Sequence, residues 1–304
     1  MESAIKMERN GRINIILQEL PNQSERENKF RYNKQFALID DLFSSFVGIE
    51  TIKKTVKQIY ATVYINEKRK ELGMISNPQV LHMLFSGNPG TGKTTVARKL
   101  AEVYFELGIL SKGHFIEAER ADLVGEYIGQ TAQKTRELIE KAKGGILFVD
   151  EAYSLARGGK KDFGKEAIDT LVKHMEDDHD DFILILAGYP FEMRQFLSIN
   201  PGLTSRFPFI LDFPDYSLDE LMEIANRMVL AREYRLSKEA EMKIRNHLYT
   251  ELGKKHVNFS NARTVRNLIE DAIRKQAYRL VSTESYDPEQ LLELTAEDIP
   301  LEKF

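Results

Sequence analysis

The chain has 304 residues, 42% of them hydrophobic and 30% charged, with a formal net charge of −4 and no cysteine. That length accommodates one large domain or a large one with a small companion, and the composition is that of a folded polypeptide. Acids and bases mixed along the chain argue against a nucleic-acid-binding stripe or a polybasic membrane segment, and the lack of thiols excludes a disulfide framework and a thiolate zinc site.

Residues 1–38 carry Asn, Gln, Glu, Lys and Arg with few apolar positions after INIIL, which predicts a partly ordered N-terminal arm or a short packed strand. The opening MESAIKMERNGRINII lacks the apolar core of a signal peptide, and the longest apolar run, FILILA at 182–187, is far below the roughly 18 residues of a membrane span. A cytoplasmic protein without a membrane contact is therefore expected. From 39 to 72, Leu42, Phe43, Phe46, Val47, Ile49, Ile52, Val56, Ile59 and Tyr60 recur mostly at three- and four-residue spacing, which predicts two helices broken at Gly48.

Short apolar runs then alternate with helical periods. VLHMLFSG (80–87), HFIEA (114–118), ILFVD (146–150), FILILAG (182–188) and FILDF (209–213) are the expected strands of a parallel α/β sheet flanked by helices. After Pro214 no further strand is expected. SLDELMEIANRMVLAREYRL, KEAEMKIRNHLYTELGKK and NARTVRNLIEDAIRKQAYRLV predict three amphipathic helices, the first capped by Ser217 with Glu220 three residues on. The chain thus divides into an arm (1–38), an α/β domain (39–213) and a small helical domain with a C-terminal tail (214–304).

GNPGTGKT, residues 87–94, fits G-x-x-x-x-G-K-[ST] between a strand and a helix. Gly87, Asn88, Pro89, Gly90, Thr91, Gly92 and the following Thr95 form a turn whose backbone N–H groups can surround a phosphate; Lys93 reaches the β- and γ-phosphates and the Thr94 hydroxyl ligates Mg2+. Asp150 and Glu151 end the third strand, which is expected to neighbour the first. Asp150 is placed for the magnesium shell and Glu151 for polarising an attacking water. No N-K-x-D sequence reads a guanine, so ATP is the expected nucleotide, its base meeting backbone at Val47, Gly48 and Ile49.

GNPGTGKT, LFVDE and the helical C-terminal domain together resemble the AAA+ ATPases. FVGIE, LVGEYIGQTAQKT, GGILFVDEAYSL, AGYPFEM, NPGLTSRF, FPDYS and NARTVRNLIEDA narrow the resemblance to the branch of red-type Rubisco activase and its relatives in spore-forming bacteria. It spans about 260 residues and implies an ATP-hydrolysing P-loop domain with a helical lid, assembled as a homo-oligomer, a hexamer, that remodels a protein substrate, here in spore formation. An ATP-gated assembly switch that recruits partners without threading is the open alternative.

The resemblance also assigns residues. NPGLTSRF implies an arginine finger at Arg206, with a surface ion pair as the alternative. NARTVR implies a lid arginine at Arg263, with Arg266 second; Asn261 stands where the family more often has glycine. AGYP lacks the usual Asn or Thr at the end of the fourth strand, so Tyr189 is left unassigned. GEYIGQT (125–131), by spacing an exposed loop between glycines, becomes a substrate pore loop with Tyr127, Ile128 and Gly129; the alternative is Tyr127 packed on its own domain. The basic run RGGKKDFGKE (157–166) falls where a second pore loop would lie, or is a solvated face. The histidines are expected to be structural.

Overall fold

Strands that are apolar at every position need cover on both faces, and the chain supplies it with helices on either side of one parallel sheet. The computed structural model describes residues 2–7, 13–18, 34–76, 79–127, 129–157, 163–253, 259–284 and 287–300. At the N-terminus β1 (Glu2–Met7) pairs antiparallel with β2 (Ile13–Gln18), with Glu2 opposite Gln18. Helix α1 (Lys34–Leu42) starts inside the segment expected to be an arm, and α2 (Glu50–Glu71) follows. Between them Gly48 takes φ +71°, the break the sequence predicted.

The α/β region runs β3 (Met83–Gly87), α3 (Lys93–Glu106), β4 (Phe115–Ala118), the one-turn α4 (Arg120–Leu123), α5 (Gln130–Ala142) and β5 (Ile146–Val149). A 3-10 turn (Ala152–Ala156) leads to α6 (Gly164–Asp177), β6 (Ile183–Gly188), α7 (Pro190–Ile199), the one-turn α8 (Pro201–Thr204) and β7 (Phe209–Phe213). The sheet order is β4-β5-β6-β3-β7, all parallel, with Phe85 level with Ala187 on one side and Leu211 on the other. The expectation that β5 neighbours β3 is corrected: β6 lies between them. The chain crosses from β3 to the far edge at β4 and winds back through β5 and β6, which leaves β5 two places away from β3.

Side chains alternate across the sheet with period two. Met83, Phe85, Ile146, Phe148, Ile183 and Ile185 join α2 and α3 in one core; Leu84, Leu147, Val149, Leu184 and Leu186 join α5, α6 and α7 in the other.

The lid contains α9 (Leu218–Leu230), α10 (Lys238–Gly253), α11 (Ala262–Ser282) and the short α12 (Pro288–Leu292) around Leu221, Ala225, Ile244, Leu248, Leu268 and Ile269. The Ser217 and Glu220 capping box forms as expected. Strands do not stop at Pro214, however: β8 (Arg235–Leu236) pairs parallel with β9 (Glu293–Leu294). Two residues are too few to show a period. The tail is pinned by Asp298, 1% exposed, which accepts from Arg279 Nε and Nη2, each at 2.8 Å. No helix among the described residues is long and apolar enough to cross a membrane.

His82 is fully buried just before β3, between Phe182 and Phe207. Its Nδ1 accepts Leu184 N–H at 3.0 Å, which leaves Nε2–H to donate to the Met175 carbonyl at 3.3 Å. Burial pushes its pKa from 6.5 down to about 4. The unfolded chain therefore takes up this proton before the folded one does: the stabilisation is complete above pH 6.5 and is lost as pH falls towards 4. Urea unfolding at pH 7 and pH 5 should differ by roughly 2 kcal/mol from this group alone, at about 1.4 kcal/mol per proton and pH unit. In His82→Asn that part of the difference should vanish.

Candidate ATP site

The turn after β3 is shaped by backbone that only glycine adopts readily. Gly90 and Gly92 take φ +71° and +92°, and Gly92 delivers the chain into α3. Lys93, the first residue of that helix, is 8% exposed, and its ammonium donates to the carbonyls of Gly87 at 2.7 Å and Asn88 at 2.9 Å. It also sits 5.6 Å from the centre of the Tyr189 ring. Burial lowers the Lys93 pKa; Asp150 and Glu151 oppose that shift, and Arg263 adds to it.

Around this ammonium lies a cleft of about 300 Å³ lined by Pro89, Gly90, Gly92, Lys93, Thr94, Thr95, Asp150, Glu151, Tyr189, Arg263 and Arg266. Tertiary structure thus brings together the turn, the end of β5 and the start of α11. Both lid arginines reach the cleft, so the choice between Arg263 and Arg266 is not made by position. Tyr189 joins it at the start of α7, its ring tilted against that of Tyr153 with ring centres 5.8 Å apart.

Glu151 takes φ 45°, ψ 43°, a left-handed conformation that costs a non-glycine residue on the order of 1–3 kcal/mol. Its N–H donates to Asp150 Oδ1 at 2.9 Å and its carbonyl accepts from Ser154 N–H at 2.7 Å, which hold the tight turn in place. A second recess of about 730 Å³ on the same side is lined by Val124, Glu126, Lys134, Asp150, Glu151 and Arg263, among others.

The expected base-binding stretch forms a separate recess of about 360 Å³, where Gly48, Ile49 and Thr91 face Phe213, Pro214, Tyr216 and Glu220. Sequence reasoning gave Tyr216 no role, yet its hydroxyl donates to the Thr91 carbonyl at 3.0 Å. Gly87 and Asn88 line none of these recesses. Gly87 is packed under Phe213, and the Asn88 amide donates to both carboxylate oxygens of Asp215, at 3.0 and 2.9 Å.

Arg206 is not brought to the cleft of its own chain. It donates through Nε to Glu176 Oε1 at 3.0 Å, and further to the same oxygen and to the Gly202 carbonyl. Tyr127 is 67% exposed and joins none of the three hydrophobic cores. Gly129 takes φ +85° with nothing within 4 Å of where a Cβ would stand, whereas a Cβ on Gly125 would lie 2.5 Å from Gln130 Cβ: Gly125 is required by close packing, not by freedom to move. Ile128 and the lysines Lys160 and Lys161 of the basic run lie outside the described residues.

A glycine-rich turn between a strand and a helix, a buried lysine at the helix start and a strand-end Asp-Glu pair across the cleft define a P-loop nucleoside triphosphatase. Residues 83–215 match the family described as ATPase family associated with various cellular activities (AAA), and residues 217–304 match the AAA lid domain. Stage V sporulation protein K of Bacillus subtilis (strain 168) is 55% identical, over 100% of this chain and 98% of that protein. The chloroplastic ribulose bisphosphate carboxylase/oxygenase activase of Cyanidioschyzon merolae is 40% identical over 90% and 94%, and Protein CbbX of Cereibacter sphaeroides 42% over 86% and 85%. Among solved structures, the Thermotoga maritima RuvB Holliday junction branch migration motor aligns over 83% of this chain and 67% of its own, at TM-score 0.53 and 20% identity, a likeness of fold alone. The chain belongs to the AAA+ ATPases and hydrolyses ATP.

Gly48 offers a direct check on the recess it shares with Thr91, Tyr216 and Glu220. A methyl there would meet Glu220 Oε1 at 2.6 Å at a φ of +71°, so Gly48→Ala should destabilise the protein by about 1–2 kcal/mol and weaken ATP binding. Thermal unfolding with and without ATP measures both.

Proposed function

We propose that the chain works as a ring, a hexamer, that couples ATP hydrolysis to remodelling of a protein substrate in spore formation. The observation that carries this reading is the pairing of two features on one loop. Tyr127 stands exposed in a segment anchored by buried Leu123 and Thr131, while its neighbour Glu126 lines the same recess as Asp150 and Glu151. A change at the carboxylates has a short physical path to the aromatic ring. An exposed aromatic flanked by glycine offers a large contact area without demanding a particular peptide sequence. The likeness to Stage V sporulation protein K supports the cellular setting.

In this reading Lys93 neutralises the β- and γ-phosphates, and the amides of the turn cradle them. The donor set of the cleft, one hydroxyl at Thr94 and one carboxylate at Asp150, is what Mg2+ uses when it keeps waters and phosphate oxygens as its other ligands. Thr94 and Asp150 would hold the ion, which would supply positive charge against that of the phosphates. Glu151 accepts the proton of the attacking water, and Arg263 closes the cleft from the lid, with Tyr189 beside the γ-phosphate position. Arg206 serves the neighbouring subunit. Arg206 is 27% and its partner Glu176 60% exposed, and a partly solvated surface pair is worth on the order of 1 kcal/mol, little against the gain from a γ-phosphate.

Two measurements test these assignments. Mixing subunits bearing Lys93→Ala with subunits bearing Arg206→Ala should restore part of the ATPase activity that each lacks alone, since a finger is worth about 10³ to 10⁵ in rate and acts across the interface. No recovery at any ratio removes the finger. Tyr127→Ala should lose function in sporulating cells while the purified protein still hydrolyses ATP. An unaffected sporulation phenotype would favour an ATP-gated assembly switch instead.

A further inference from the structure

The lid meets the phosphate-binding turn through an unusual residue. Asn261, just before α11, is fully buried and takes φ 48°, ψ −127°, a region suited to glycine. Its carboxamide uses both of its donors and one of its two acceptor positions: Oδ1 accepts Tyr216 N–H at 3.0 Å, and Nδ2 donates to the Pro89 carbonyl at 3.2 Å and to Asp215 Oδ1 at 2.8 Å. The partners fix the amide orientation, because turning it over would oppose two donors at Tyr216 and two acceptors at Asp215. Asp215 in turn holds the Asn88 amide.

Three successive carbonyls of the turn each accept one bond from this side. Pro89 is held by Asn261, Gly90 by Ala262 N–H at 3.1 Å, and Thr91 by the Tyr216 hydroxyl at 3.0 Å. In a planar trans peptide the C=O and the following N–H point opposite ways. Pinning these carbonyls towards the lid therefore directs the N–H groups of Gly90, Thr91 and Gly92 away from it, to the side on which a phosphate is cradled.

We propose that Asn261 is a positioning residue for ATP turnover: with Asp215 it latches the start of α11 to the turn, so that lid closure and the phosphate-binding shape of residues 89–92 are one conformational event. The strained backbone at Asn261 persists because this side chain, and not glycine, ties linker, turn and lid together. The inference rests on residues 87–95 being the phosphate site.

The test uses the full chain with ATP and a fluorescent ATP analogue, comparing Asn261→Gly, Asp215→Ala and the double variant. Asn261→Gly is informative because glycine relaxes the backbone strain while the Ala262 to Gly90 bond can persist. Each single change should raise KM for ATP and the analogue's Kd about fivefold or more with kcat altered less than about twofold, and the double should be no worse than about twice the larger single effect. The proposal is overturned if Asn261→Gly keeps KM within about twofold of the parent, including with a lowered unfolding temperature, or if the single effects multiply in the double. Lys93→Ala separates the underlying reading: if it binds the analogue as the parent does, the phosphate site itself is misplaced. Lost binding in Lys93→Ala with an unchanged Asn261→Gly instead counts against the latch alone.

Discussion

Residues 87–92 turn in a space closed from three directions, and most of the architecture is arranged around that confinement. A methyl on Gly87 would lie 2.6 Å from the Phe213 carbonyl of β7, one on Gly90 would collide with the Ser260 carbonyl of the lid, and one on Gly92 would lie 3.2 Å from the Tyr216 hydroxyl. The sheet, the linker and the lid each press on a different glycine of the same turn. A backbone so enclosed has to place its polar groups deliberately, since an unpaired buried carbonyl or amide costs about 1–3 kcal/mol. Here the carbonyls go to the lid, the linker and Lys93.

Charge follows the same geometry. Lys93 is desolvated but retains two carbonyl acceptors and a ring face, which makes it a cation short of a counter-charge in a cleft that also holds Asp150 and Glu151. Arg263 and Arg266 bring more positive charge from the lid. Such an excess at a helix N-terminus suits a polyphosphate. Strain is concentrated nearby: among the described residues, two of the four non-glycine ones with positive φ, Glu151 and Asn261, sit at the ends of the elements that close on the cleft.

The features facing outward are of a different kind. Tyr127 and Arg206 contribute little to the fold of one chain: the first is exposed, and the second makes an ion pair at the surface. The proposed roles of both involve other polypeptides; spacing marked the loop of Tyr127 as exposed, and family resemblance supplied the roles. Glu176 belongs with them. It lies 30 residues from Arg206 in sequence, so only the packing of α6 against the segment after α8 reveals the pair.

The sequence by itself determined the five strands, their parallel arrangement, the helix break at Gly48, the capping box at Ser217 and the glycine-rich turn between β3 and α3. Each is encoded locally, by hydrophobic period, by a glycine that must take positive φ, or by a motif with fixed spacing. It misjudged β5 as a neighbour of β3 because order in space depends on crossovers that leave no mark on a strand's own residues. It missed β8 and β9, too short for a period, and treated Asn261 as a departure from a pattern. Only the tertiary structure decided that Asn261 meets Pro89, Asp215 and Tyr216, that Asn88 turns to Asp215 and that Tyr216 caps Thr91, because these contacts join segments far apart in the chain. Hydrogen bonds between distant segments are fixed by the packing of the two domains, and no local pattern specifies which donor will find which carbonyl.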